Sequence, residues 1–467
     1  MSSVHLAGRP LPALPAVISH EVILGLLRAL DEGGADEQCF AAHRLAALLE
    51  AEEAKYRAVV GDPHANPSLR NHYTVGKILA FIKEEEDVYD KICDTWVQSR
   101  NATLEQQVAG LRLLLATLEC WLFQYPLTEE ALVERLGHWS VAGLEKAPLP
   151  GEGAPGGRQE MLEEARQAYA LGVLSIALTN EEYADEAVRT PLVPAACRYL
   201  RRAVTAMAAG APGGAAGSSG AAAAGASADD GPAAGGGEGE SPEVAHVRQQ
   251  RLLAALRCLM CTGEYVESLG PFLQFCGVDT VCTLLRHIRA ASAAGGGARG
   301  GGGGGGAAAQ RLGWLMHEAL QVVCSLLAHR KFAELLVEAG GVQLLLALPR
   351  NQHSYPGLSL ALFGLAALPL AFERACALPA PVPREMVAAA LSLLTSGSDV
   401  ARKNGALFLD HALSTRVVCK EFDSQEGLHR LLFPLRRLLA LTREGGGMHP
   451  DVRTERQVRR GLEGRGV

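Results

Sequence analysis

Apolar residues recur at intervals of three and four along most of this chain, the period of helices that bury one face. Leu111, Leu115 and Leu118 are spaced in this way, and Ile78, Phe81 and Ile82 share a helical face. The pattern predicts helices over 41–59, 71–96, 104–125, 127–139, 160–177, 180–187 and 191–207. Gly61-Asp62-Pro63 closes the first of these, because proline cannot continue a helix. Glu84, Glu85, Glu86 and Asp87 read as a solvated face of the second and not as metal ligands. The run 357–372 is almost free of charge, but it is short for a bilayer, contains Ser359 and Pro369 and stops at Glu373. It reads as a buried helix pair.

A second, longer period lies over the first. Small turns lead into leucine-rich helices at Cys276-Gly277-Val278, Gly340-Gly341-Val342 and Glu426-Gly427-Leu428, with Pro383-Arg384-Glu385-Met386 a degenerate member. Gly341 and Gly427 are two steps of 43 apart, and the other spacings come close to this once two low-complexity tracts are left out. Steps of about 40 to 47 residues belong to armadillo and HEAT units, in which stacked helices share one continuous core. The expected fold is therefore all-α, an armadillo/HEAT-like helical solenoid.

The tracts are 208–243 and 290–309, holding 11 and 10 of the 52 glycines. They are expected to be disordered Ala/Gly inserts in loops, where a long insertion costs little. The organisation read from the sequence is a flexible N-terminus 1–18, helical repeats 19–147, a linker 148–159, a repeat 160–207, the first insert, a repeat 244–289, the second insert, armadillo-like repeats 310–442 and a flexible tail 443–467.

Composition narrows the function classes. Only 5% of residues are aromatic and alanine is abundant, which favours closely packed helices over a β-sandwich. The 44 basic and 51 acidic residues leave a net charge of -7 without a long basic run, which argues against nucleic acid as the main partner. Eleven cysteines scattered through apolar patterns fit free thiols in a reducing compartment, so nucleus or cytoplasm is expected, with neither membrane insertion nor export.

Chemistry-bearing motifs are incomplete. Cys258 and Cys261 have CxxC spacing, but Cys276 and Cys282 do not form the second tight pair of a zinc ribbon. His317-Glu318 begins like HExxH, yet Gln321 stands where the second histidine is needed. The run Gly300 to Gly306 satisfies GxGxxG trivially, with no strand before it, and Gly76-Lys77 lacks the upstream glycine of a Walker loop. His287, His329 and His411 are expected near helix ends as caps. No catalytic, cofactor-binding or metal-ligating residue is predicted, no cofactor is implied, and the chain reads as a non-enzyme.

Several segments, taken in order, resemble the N-terminal armadillo-like region of the Vpr-binding protein family. They are Glu53-Ala54-Lys55-Tyr56-Arg57, the stretch 169–178, Gly263-Glu264-Tyr265, His329-Arg330-Lys331-Phe332 with Gly340-Gly341-Val342-Gln343-Leu344-Leu345, Phe372-Glu373-Arg374-Ala375-Cys376, and Glu421-Phe422-Asp423 before Gly427-Leu428-His429-Arg430-Leu431. The resemblance spans roughly 50–439. It implies a substrate receptor of cullin-RING ubiquitin ligases, recruited through the damaged-DNA-binding adaptor, with ligase components and substrates as protein partners. In that family a WD-repeat propeller docks the adaptor, and LisH helices and the propeller follow the region matched here. Direct adaptor docking by these residues alone is therefore not expected. An armadillo adaptor outside ubiquitination remains an alternative, for which Asn404 would be the groove asparagine. So does the atypical protein kinase activity ascribed to the family, although no recognisable kinase residues occur.

Overall fold

The structure is a computed structural model that describes residues 5–7, 9–11, 13, 18–59, 67–84, 91–120, 130–146, 148–149, 155–209, 241–296 and 305–432. Among these residues there are helices and turns and no strand. The first part contains α1 (His20–Glu32), α2 (Ala35–Val59), a 3-10 turn Pro67–His72, α3 (Thr74–Glu84), a π-helix Lys91–Gln98, α4 (Leu104–Cys120) and α5 (Glu130–Lys146). Triplets follow, each with a long, a short and a second helix. They are α6 (Arg158–Ala177), α7 (Glu181–Val188) and α8 (Leu192–Ala209); then α9 (Pro242–Thr262), α10 (Val266–Pro271) and α11 (Gly277–Gly296), with a π turn Phe272–Cys276 before α11. Next come α12 (Gly305–Leu326), α13 (Arg330–Glu338) and α14 (Gly341–Leu346), then α15 (Tyr355–Ala366), α16 (Pro369–Cys376) and α17 (Pro381–Leu393). Finally α18 (Asp399–Ala412) and α19 (Arg416–Ser424) lead into a helix that starts at Gly427.

The long helices α2, α4, α6, α9, α12, α15 and α18 pack in succession as one row, and α5, α8, α11, α14 and α17 form a second row behind them. One continuous core lies between the rows, as the solenoid reading expects. Local chemistry sets many of the helix starts. Thr103 and Gln106 form a capping box before α4, Asn180 accepts from the Glu182 amide at α7, and Ser241 followed by Pro242 opens α9. Salt bridges then tie rungs of the long row together. Arg112 grips Glu50 through two hydrogen bonds of 2.9 and 2.7 Å, and Arg257 reaches Glu318 at 2.7 Å.

The repeat turns follow one rule with a shift of one residue. Gly340 has φ +76° and Glu426 φ +54°, while Gly341 and Gly427 lie so close to Leu336 and Phe422, five positions back, that a Cβ would collide. At the turn before α11 it is Gly277 that takes φ +75°, with open space around it. Gly277 therefore corresponds to Gly340, not to Gly341 as the triplet alignment suggests.

Other expectations are corrected. The helix expected over 71–96 starts at Thr74, after a 3-10 turn in which Arg70 is held by Glu53 at 3.0 and 2.8 Å; residues 85–90 lie outside the described residues, and 91–98 form a π-helix. Part of the segment expected to be a flexible N-terminus is packed. Leu6 is buried and its amide donates to Glu243 at 3.1 Å, and the Ala13 carbonyl accepts from Arg44 at 2.8 Å. The second insert is shorter than 290–309. Alanines carry α11 on to Gly296 and α12 begins at Gly305, because alanine is the strongest helix former. Residues 210–240, the tail from 433 onward and most of the acidic run 84–87 lie outside the described residues.

The apolar run 357–372 is split between α15 and α16, which meet at 104° with Pro369 opening α16. A second stretch, Val266–Ala294, has the length and apolarity of a membrane span, but half of its most apolar window is buried inside the fold. Pro271, a π turn and Gly277 also interrupt it.

Candidate binding groove

The C-terminal ends of α6, α9, α12 and α15 lie side by side, and between them runs an open groove of about 800 Å³. Its lining comes from residues 178–184, 260–265, 321–328 and 360–368. The floor is apolar, with Leu178, Met260, Leu327, Phe363 and Leu368, and Leu360 stands exposed at 38%. Its charged lining residues are Glu181 and Glu264, both exposed and neither ion-paired among the described residues. The Tyr265 hydroxyl donates to the Glu181 carbonyl at 3.3 Å and so joins the first two rungs. Burial, and after it the carboxylates of Glu181, Asp185 and Glu264, push the Tyr265 phenol up. Glu181 stands in the first turn of α7, where a carboxylate is favoured by the helix N-terminus.

Contacts between successive rungs fix the helix ends that line the groove. His329 shows how: it precedes α13, and its Nε2 meets the Gly263 carbonyl at the end of α9 at 2.7 Å. It caps the neighbouring repeat's helix, not its own. His411 lies in the last turn of α18, with its ring edge-on to Phe363 at 5.5 Å, whereas His287 sits inside α11 and away from a helix end.

The other sequence candidates lie elsewhere or are already engaged. Cys261 and Cys324 line the groove, but burial pushes both thiols up to about 12, so they are protonated at neutral pH. Burial likewise pushes Cys276 up to about 12, and it lies near Cys197. Among the described residues no group of three or more His, Cys, Asp or Glu side chains is placed to hold a metal. Glu318 is bonded to Arg257, and His317 packs against Trp314. Gly305 and Gly306 open α12, and the rest of Gly300 to Gly306 lies outside the described residues. Asn404 is buried and donates to Ser359 at 3.3 Å, so it braces α18 on α15 and is not offered to a groove. The groove residues themselves were not found as a site in the sequence. Glu264 and Tyr265 stood out only within a family-like motif, and Leu360 only within an apolar run.

Fold and groove define a helical-repeat solenoid with an acidic and apolar side channel. A family model described as the Mahjong helical domain matches residues 308–379, which cover the rungs from α12 to α16. The chain is 33% identical over 217 residues to DDB1- and CUL4-associated factor homolog 1 of Arabidopsis thaliana, covering 46% of this chain and 10% of that protein. It is 36% identical over 117 residues to protein mahjong of Drosophila melanogaster, covering 25% of this chain and 8% of the relative. A Caenorhabditis elegans DDB1- and CUL4-associated factor homolog 1 is 27% identical over 117 residues, covering 25% of this chain and 7% of the relative. The matched part is thus about a tenth or less of each relative's length. The resemblance read from the motifs holds: the chain is similar to Vpr-binding, DDB1- and CUL4-associated-factor-type proteins.

Proposed function

We propose that this chain is the helical-repeat part of a substrate receptor of a cullin-RING ubiquitin ligase, holding other proteins on the solenoid and carrying no catalytic residues of its own. What supports this reading most is the likeness to two relatives whose names state association with DDB1 and CUL4. The groove supplies the physical means, since solenoid channels suit elongated protein segments.

In this reading residues 1–467 present partners, and adaptor docking belongs to a propeller of the family type. The test is a pull-down with purified adaptor and cullin. The chain alone is expected not to retain them, and a fusion carrying a relative's propeller after Leu439 is expected to do so, because separate cores fold separately. Stoichiometric adaptor binding by residues 1–467 alone would overturn this division of roles.

A further inference from the structure

We propose that the groove takes an extended segment of another protein with lysine or arginine at one end and a bulky apolar residue at the other. The proposal rests on the receptor reading only in treating that segment as part of a recruited protein.

Three observations carry it. First, charge is placed unevenly along the channel. Glu181 and Glu264 follow α6 and α9, both exposed and without an ion pair among the described residues, while the α15 end offers Leu360 and Phe363. The two unpaired carboxylates therefore make the α6 and α9 end favour a cation and repel a phosphate or a carboxylate. Second, the apolar end is left incomplete by the fold. Leu360 is 38% exposed although it belongs to a helix whose other leucines are buried, and Phe363 is covered on one side by His411 and open to the groove on the other. Third, the dimensions suit an extended chain. Packed helices are about 8 to 10 Å apart, so two rungs separate Glu264 from Phe363 by roughly 16 to 20 Å. At about 3.3 Å per residue, five or six extended residues cover that distance. A nucleic acid is the wrong charge for this channel.

The test uses the whole chain. A phage-displayed library of random decapeptides is panned on purified residues 1–467, and the enriched peptide is measured by fluorescence anisotropy. Enrichment of Lys or Arg about five residues from Leu, Ile or Phe is expected. The double variant Glu181→Lys with Glu264→Lys should weaken that peptide at least about tenfold and shift selection towards acidic sequences. Leu360→Asp should also weaken it, whereas Val400→Asp, an exposed change on α18 outside the groove, should not. Circular dichroism melts confirm that the surface variants fold. No enrichment, acidic winners on the native chain, or binding indifferent to both groove variants would each overturn the proposal. None of these outcomes bears on the propeller-fusion pull-down, so failure of the groove proposal and failure of the receptor reading are separable.

Discussion

Two interfaces of the long-helix row are built on opposite principles. Between α6 and α9, the Glu164 carboxylate accepts from Arg248 at 2.9 Å and from Arg251 at 3.4 Å, while the Glu164 carbonyl takes a further bond from Arg251 at 2.8 Å. All three side chains are buried. Between α15 and α18, the corresponding polar contact is the neutral Asn404 to Ser359 hydrogen bond. Two guanidinium groups against one carboxylate in an apolar interior carry a large desolvation cost, which the hydrogen bonds offset only in part, since Arg251 Nε has no hydrogen-bond partner among the described residues. A neutral amide and hydroxyl need little offsetting. The difference shows where register is enforced. In the first interface a slip of the helices would strand buried charge, whereas in the second the close fit of apolar surfaces sets the position.

Glu164→Ala should break this contrast most strongly, because it leaves both arginines buried without their carboxylate. A loss of about 3 to 5 kcal/mol is expected in urea unfolding. The triple change to Glu164→Leu, Arg248→Met and Arg251→Met should be near neutral or stabilising, and a large loss in the triple as well would mean that the charges contribute more than register.

Gly341→Val pushes a branched side chain into Leu336 and should cost on the order of 1 to 3 kcal/mol. Gly340→Val should cost a similar amount through its φ of +76°. The same change at Gly303 should leave the melting temperature nearly unchanged. Equal effects at all three sites would erase the distinction between turn glycines and filler.

The N-terminal region also carries a pH dependence. Burial, then the charges of Arg112 and Arg158, lower His43 from 6.5 to about 3. The folded chain therefore keeps this ring neutral while the unfolded chain protonates it, so its contribution is complete above pH 6.5 and falls as the pH drops towards 3. One unit below 6.5 the loss is roughly 1.4 kcal/mol. Stability measured between pH 7 and pH 5.5 should fall more steeply for the native chain than for His43→Leu, and parallel curves would refute the assignment.

Asn404→Ala should cost only about 1 kcal/mol, the usual net worth of one neutral buried hydrogen bond. Deleting residues 211–239 should have the smallest effect of all on helix content and melting, since loop length enters stability only logarithmically. A broad, uncooperative transition after that deletion would mean that the repeats on either side depend on it.

Helices and turn glycines were legible in the chain because each depends on neighbours within one or two turns. Apolar spacing placed α4, α6 and α8 to within a few residues, and the triplets around Gly277, Gly340 and Gly427 marked the turns. Reading failed where a distant residue decides the local structure. Glu53 holds Arg70 in the turn that precedes α3, Glu243 fastens the Leu6 segment, and Gly263 is capped by a histidine 66 positions away.

The groove shows the same limit. Its walls are helix ends taken from four repeats, from Leu178 to Leu368, and nothing local distinguishes Leu360 from the buried leucines beside it. Sequence alone determined that this protein is a stack of helices with a repeating turn, because periodicity and glycine conformation are properties of short segments. Only the tertiary structure decided which carboxylates stay unpaired and which leucine stays uncovered, because both depend on how successive rungs are offset, and packing between residues far apart in the chain sets that offset.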